Sequence, residues 1–435
     1  MTTRQDCDVR DAEDPLRELR HQFDLPPGVI YLDGNSLGVL PRATLGRVQQ
    51  VITKEWGQDL IKSWNSAGWI DLPARIGDKI ARLVGADAGE LVVADSTSLN
   101  LYKVLSAALR ISMANQGDAP ARKLIVSERS NFPTDLYIAE SLAQQHGLTL
   151  KLVDSVDEIP AMLNGELAVL MLTGVNYRTG YQHDMQAITA AAHAAGALVI
   201  WDLAHSAGAV PVDLKGADAD FAIGCGYKYL NGGPGAPAFV WAHPRHADRF
   251  WQPLSGWMGH AAPFQFTPDY RPAPGIQRYL CGTPALLSMA ALECGVDTLL
   301  AAEPMGGMQA LRQKSVALTE LFIELVDERC AKLGVRVASP RQAAQRGSQV
   351  CLSLAPPLEH ASYAVVQALI ARGVIGDFRA GDPADLAAMP HILRFGFTPL
   401  YIGYTEVYDA VEHLVQVLAT QEWKQEQFNQ KAAVT

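Results

Sequence analysis

Ala197-Leu198-Val199-Ile200-Trp201-Asp202 is an apolar run that stops on a carboxylate, and His205 follows it closely. A second apolar stretch, Asp220-Phe221-Ala222-Ile223-Gly224-Cys225, delivers Gly226-Tyr227-Lys228-Tyr229-Leu230 and then Asn231-Gly232-Gly233-Pro234-Gly235. Runs of Val, Ile and Leu without polar alternation read as strands covered on both faces. Taken singly, Asp202 reads as a helix cap and Lys228 as a solvated surface residue. Taken together they mean more. They end two neighbouring strands, and a loop with three glycines follows, which lets backbone approach a ligand. An amine and a carboxylate so placed suit pyridoxal 5′-phosphate. That cofactor needs the amine for a Schiff base and the carboxylate to keep its pyridine nitrogen protonated.

The same alternation extends outward. Leu91–Ala94, Lys123–Val126, Thr149–Val153, Ala168–Leu172, Ala197–Trp201, Phe221–Gly224 and Ala238–Trp241 read as strands. Leu99–Ala114, Thr134–Gln145 and Met185–Ala195 read as helices between them. This predicts an α/β fold, a mostly parallel seven-stranded sheet sandwiched by helices. Cys281 to Leu333 reads as mainly helical. Gln349–Leu354, Ala361–Arg372 and His391–Phe397 read as a smaller α+β unit whose helix stops at Gly373. The expected division is a large cofactor-binding domain over 66–290 and a small domain from 1–65 and 291–435, because neither end is large enough to form its own core.

Two strand-to-helix junctions offer further ligand groups. Asp95-Ser96-Thr97-Ser98 precedes a helix, and small hydroxyl residues there serve either as N-caps or as a phosphate site. Ser130-Asn131-Phe132-Pro133-Thr134-Asp135 is the second; Pro133 suits a first helical turn, and Phe132 is placed to stack on a flat ring. Thr173, at the end of Ala168–Leu172, offers a hydroxyl toward the same rim.

Composition narrows the function class. The 435 residues carry a net charge of −10, which argues against nucleic acid or an anionic membrane as the main partner. No apolar run approaches the roughly 20 residues that span a bilayer. Met1 to Asp14 is charged and lacks a signal-peptide core. The cysteines at 7, 225, 281, 294, 330 and 351 lack metal-ligand spacing, so no metal site is expected, and a reducing cytoplasm fits them.

Beyond these readings, the chain resembles the kynureninase family of fold-type I pyridoxal-phosphate enzymes. The matching stretches are Tyr31-Leu32-Asp33-Gly34-Asn35-Ser36-Leu37-Gly38, Trp64-Asn65-Ser66-Ala67-Gly68-Trp69 and Ser130 to Asp135. Trp201 to Gly208, Tyr227 to Gly235, Leu254-Ser255-Gly256-Trp257 and Arg394 to Tyr401 complete the set. The resemblance implies hydrolysis of L-kynurenine to anthranilate and L-alanine in tryptophan catabolism, by a homodimer with cofactor sites near the subunit interface. It implies that Thr97, Ser98, Phe132, Pro133, Thr134, Asp135, Thr173, Asp202, His205, Tyr227, Trp257 and Thr283 line the cofactor and that Lys228 carries it. Lys228, Tyr227 and Asp202 would be catalytic. Arg394 would hold the substrate carboxylate, with Asn35 and Ser36 near the same end. Trp64 and Trp257 read as packing residues by type, although a flat aromatic substrate gives each a stacking role. His205 either orients cofactor groups or caps a turn. Thr283 stands where eukaryotic members have an Asn that is associated with the 3-hydroxylated substrate. The neighbouring alternative, a cysteine desulfurase, would need a mobile reactive cysteine and usually shows Gln in place of His205.

Overall fold

The computed structural model describes residues 2–115, 121–250 and 252–431. Among them, the seven apolar runs singled out above form one sheet. Its strands are β1 (Leu91–Val93), β2 (Leu124–Glu128), β3 (Thr149–Val153), β4 (Leu167–Thr173), β5 (Leu198–Asp202), β6 (Phe221–Gly224) and β7 (Phe239–Ala242), in the order β1-β7-β6-β5-β4-β2-β3. β2 to β6 are parallel, and β7 runs antiparallel to both β6 and β1. Every residue of β4, β5 and β6 is buried, as the missing polar alternation requires.

The helices that cover this sheet are α1 (Leu72–Val84), α2 (Thr97–Asn115), α3 (Pro133–His146) and α4 (Met185–Ala194). α2 buries Leu101, Val104, Leu105 and Ala108 in one core with Val169, Met171, Ile200, Phe221 and Ile223. α3 starts on Pro133 and stops at Gly147, whose φ of 64° ends the helix in the left-handed region. β2 pairs with β3 on one side and β4 on the other, so the winding direction reverses between β2 and β4. Ligands of such sheets collect at the carboxyl ends flanking that reversal.

The chain divides into two units. The larger comprises Ala43–Asn176 and His183–Asp297; the smaller comprises Met1–Arg42, Tyr177–Gln182 and Thr298–Thr435. Residues 43–65 therefore belong with the sheet. Val51 packs in a cluster with Trp69 and Ala290, and Trp69 Nε1 donates to Glu55 at 2.8 Å. The smaller unit holds α5 (Gly307–Arg329), α6 (Ser362–Ala371), α7 (Tyr404–Ala419) and the N-terminal helix Arg4–Glu13. Its antiparallel sheet has strands β8 (Val335–Val337), β9 (Gln349–Leu354), β10 (Asp377–Arg379) and β11 (Ile392–Gly396), in the order β10-β11-β9-β8. Gly373, at φ 84°, follows α6. Phe322 of α5 packs on Phe395 and Phe397 with ring centroids 5.3 and 5.0 Å away.

One ionic network fastens the larger unit. Asp220, just ahead of β6, accepts from His193 of α4 at 2.8 Å, His246 at 2.7 Å, Arg245 at 2.6 Å and the Val199 amide at 2.8 Å. Burial alone would raise its carboxyl, but the bonds from His193, His246 and Arg245 outweigh it and hold the group well below the carboxylate range. The bond to Asp220 likewise raises His193. The Asp220 contribution is thus present above about pH 4 and lost in acid, whereas the His193 contribution is present below about pH 6.5 and lost as pH rises. Asp220→Asn should lower unfolding stability by about 3 kcal/mol, the scale of removing one partner from a buried pair. Urea titrations at pH 5.5 and 8 should show a stability decline in the wild type that shrinks in the variant. An unchanged pH slope would place that dependence on other groups.

Candidate active site

The carboxyl ends of four strands build the centre of the site. Thr173 ends β4, and Asp202 ends β5 directly beside it in register. β2 leads through Asn131 into α3, whose first turn carries Asp135. Asn131 Oδ1 accepts the Phe132 amide at 2.6 Å, which fixes the turn. β6 leads to Tyr227 and Lys228, and Gly232 folds the following loop back by donating its amide to the Gly226 carbonyl at 2.9 Å. A Cβ on Gly226 would lie 2.3 Å from the Pro237 carbonyl, so the fold-back requires glycine there.

These elements converge. Lys228 Nζ lies 3.0 Å from His205 Nε2, and 5.9 and 5.6 Å from the ring centroids of Phe132 and Tyr227. Asp202 Oδ1 accepts the Ala204 amide at 2.7 Å. Burial raises the Asp202 carboxyl, and the Lys228 charge, the Ala204 amide and a hydrogen bond with Asp135 oppose that rise. Burial and the Asp202 charge push Asp135 well above the carboxylate range. Burial thus raises both carboxyls of the pair, and the hydrogen bond between them raises Asp135 and lowers Asp202. Tyr227 is held as a phenol, first by burial and then by Cys225 and Asp202.

The chemistry of this donor set fits pyridoxal phosphate. It has a primary amine, a buried carboxyl, Asp202, with a second carboxyl, Asp135, hydrogen-bonded to it, and Phe132 beside the amine. Thr173 Oγ1 and Ser206 Oγ are buried without a hydrogen-bond partner among the described residues, which leaves two hydroxyls for a ring-borne oxygen. Thr97 and Ser98 occupy the first turn of α2, half-buried, and Thr134 lies beside Pro133 in the first turn of α3. Trp257 packs edge-on to Trp64 at 5.8 Å and to Phe264 at 5.8 Å. Trp64 also meets Trp69 at 6.3 Å. Thr283 is exposed.

The smaller unit has its own charged cluster. Arg394 of β11 is 1% exposed. Its Nε donates to Asp377 Oδ1 at 2.8 Å, its Nη2 to Ser36 Oγ at 2.9 Å and to Asp377, and its Nη1 to the Tyr177 carbonyl at 2.8 Å. Asp377 and Arg394 sit opposite each other across β10 and β11. Arg379 reaches the same carboxylate at 2.6 Å. Asn35 is fully buried, and neither side-chain atom has a partner among the described residues. A Cβ on Gly396 would come within 2.0 Å of Asn35 Oδ1, so glycine admits that side chain.

The sequence reading named Arg394, Asn35 and Ser36 but not Asp377 or Arg379. Their signal was the alternation of opposite charges in Gly376-Asp377-Phe378-Arg379, a short strand otherwise apolar in context. Asp135 is named from sequence as lining, and its hydrogen bond with Asp202 comes from the structure. The sequence reading also passed over the buried Glu128–His183 contact at 2.8 Å.

The family model "Kynureninase C-terminal domain" matches residues 311–414. A kynureninase of Pseudomonas fluorescens is 57% identical over 438 aligned positions that cover both chains fully. One from Burkholderia pseudomallei (strain 1106a) is 54% identical with the same coverage. Among solved structures, a cysteine desulfurase of Thermococcus onnurineus NA1 superposes with a TM-score of 0.74 at 20% identity, over 93% of this chain and 98% of that one. At that identity the likeness concerns the fold alone.

The charged cluster yields a pH prediction. Burial, then the Asp377 charge, raises Asp33 to about 7, against partial opposition from Arg394. The folded chain thus keeps a proton that an unfolded Asp33 gives up near pH 4, and stability falls as pH rises from there through about 7. Asp33→Asn should remove this loss and gain on the wild type between pH 5 and 8 in denaturant titrations. Parallel profiles for the two proteins would assign Asp33 an ordinary carboxyl.

Proposed function

The chain belongs to the kynureninase family, and on that premise we propose that Lys228 carries pyridoxal 5′-phosphate in the hydrolysis of L-kynurenine to anthranilate and L-alanine. The carrying observation is the placement of Lys228 Nζ, 3.0 Å from His205 Nε2 and within charge reach of Asp202 and Asp135 at the strand ends.

When bound, the cofactor supplies a protonated pyridine ring conjugated with the substrate α-carbon, which accepts electron density when the α-proton leaves. Asp202 would hold the proton at the ring nitrogen, with Asp135 orienting Asp202 through their hydrogen bond. Phe132, Thr173, His205, Thr97, Ser98, Pro133, Thr134 and Trp257 would hold the cofactor, Phe132 by stacking and Thr173 Oγ1 and His205 through its polar substituents. Lys228, once its amine is free, takes the α-proton as general base. Water adds at the γ-carbonyl, and loss of a hydroxyl proton from that adduct breaks the Cβ–Cγ bond, releases anthranilate and leaves the bonding electron pair on Cβ; a proton delivered to Cβ and return of the α-proton from Lys228 then complete L-alanine. Tyr227, kept as a phenol by burial, can give or receive a proton at this stage. We assign the substrate carboxylate to the cluster of Arg394, Ser36 and Asn35, and the aryl ring to Trp64 and Thr283.

We further infer a homodimer in the cytoplasm. Trp56 at 58%, Ile61 at 76%, Phe264 at 58% and Phe266 at 74% exposure are apolar surface that a second copy would cover. Desulfurase chemistry is disfavoured because burial covers five of the six cysteines and raises the half-buried Cys281 thiol.

Borohydride reduction of the coloured protein followed by peptide mapping should place the cofactor on Lys228, and the protein should sediment at twice the chain mass. Lys228→Ala should lose both the label and anthranilate production. A label on another lysine would sink the assignment.

Substrate choice gives a second test. Thr283 has no amide to reach a ring hydroxyl, and leaving such a group unpaired in a closed site costs ~1–3 kcal/mol. L-kynurenine should therefore exceed 3-hydroxy-L-kynurenine in kcat/KM by roughly tenfold or more. Steady-state rates with both compounds measure this, and equal efficiencies would remove Thr283 from the ring's surroundings.

A further inference from the structure

Lys103 lies in the second turn of α2 and is completely buried. A buried ammonium is costly unless every proton finds an acceptor. Lys103 Nζ donates to the Asp95 carboxylate, to the Tyr279 carbonyl at 2.6 Å and, more weakly, to Asn100 Oδ1 at 3.4 Å. Its sequence neighbours Val104 and Leu105 belong to the apolar core, where an uncharged side chain of the same length would satisfy packing. The charge therefore serves direction and not volume.

Each acceptor leads to a piece of the site. Asp95 immediately precedes Ser96, Thr97 and Ser98 and adopts a φ of 47°, a left-handed conformation uncommon for a residue with a Cβ. Its carbonyl accepts the Ala238 amide at 2.9 Å, and Asn100 Nδ2 donates to the Ala94 carbonyl at 2.8 Å, so the turn is held at both ends. On the other side, Tyr279 runs into Leu280 and Cys281. The Cys281 carbonyl accepts the Met258 amide at 3.1 Å, next to Trp257, and Thr283 follows two residues later. A Cβ on Gly256 would sit 2.3 Å from that same carbonyl, so the Trp257 segment is pressed directly onto it.

We propose that Lys103 is a positioning residue for the cofactor phosphate: its buried ammonium locks the Ser96–Ser98 turn to the segment that carries Trp257 and Thr283. This rests on the assignment of pyridoxal phosphate to the Lys228 site. Lys103 touches neither substrate nor reacting atoms; it acts by fixing the donors at the start of α2 in one arrangement before the phosphate arrives.

The test separates the phosphate from the ring. Full-length wild type, Lys103→Met and Asp95→Asn are stripped of cofactor. Each is then titrated with pyridoxal 5′-phosphate and with pyridoxal, which lacks the phosphate, following visible absorbance. Asn at 95 keeps a side-chain oxygen that can accept from Lys103, and circular dichroism with urea unfolding of both variants confirms that the titrated protein is folded. Both variants should lose about tenfold or more in affinity for the phosphorylated form, the scale of misplacing a charge-assisted contact, and bind pyridoxal as the wild type does. Equal loss for both forms makes Lys103 merely structural and overturns the proposal, as does no loss for either. A wild type that takes up neither form would overturn the Lys228 assignment and this inference with it.

Discussion

Two carboxyls buried side by side set the electrostatics at the centre of this molecule. Asp202 and Asp135 are both buried, and the Lys228 charge acts on both. Two ionised carboxylates and one ammonium would leave net negative charge in a region of low dielectric. Burial raises both carboxyls against that outcome, and the hydrogen bond between them raises Asp135. The arrangement is possible because the winding reversal between β2 and β4 brings the start of α3 to the ends of β4 and β5. Topology supplies the position, and burial then sets the protonation state.

The smaller unit solves a similar problem with the opposite excess. Arg394 and Arg379 share Asp377, and Ser36 donates to that carboxylate at 2.8 Å while accepting from Arg394. The Arg394 guanidinium is thus fixed on three sides before any ligand is present. A side chain so held loses little freedom on meeting a carboxylate, which is the advantage of a pre-organised fork over a flexible lysine. A carboxylate bound there, as proposed, would have to share Arg394 with Asp377, and that competition, not guanidinium charge alone, would set how strongly it binds.

Sequence revealed the central strands well because their burial on both faces leaves one unmistakable pattern. Leu167–Thr173 has no polar interruption until its final residue, and that residue faces the site. Lys228 and Asp202 were legible for the same reason, as charges that end apolar runs. Short elements were not. The three-residue strands Val335–Val337 and Asp377–Arg379 are defined by their partners across the sheet and not by their own periodicity. The attachment of residues 43–65 to the larger unit depends on Trp69 reaching Glu55, a contact no local pattern announces. Asp135 is named from sequence only as part of the cofactor lining, because an acid in a first helical turn is common and does not announce its neighbour. Its closeness to Asp202 is a matter of space and not of sequence.

Lys103 shows why such residues escape reading by type. In α2 it occupies one position among apolar neighbours, and a lysine on a helix is ordinarily a solvated face. Its meaning comes from acceptors far apart in the chain, Asp95 and Tyr279. Replacing a buried ion pair by apolar groups of equal volume commonly leaves stability unchanged or improved. Retaining one is therefore poorly explained by stability. It is better explained by geometry, because apolar contacts tolerate sliding and a buried ammonium with oriented acceptors does not. The turn ahead of α2 must hold several donors in fixed directions, and its left-handed residue at Asp95 is strained without a partner to hold it. A charge at Lys103 meets both demands at once, which an apolar side chain of the same size could not.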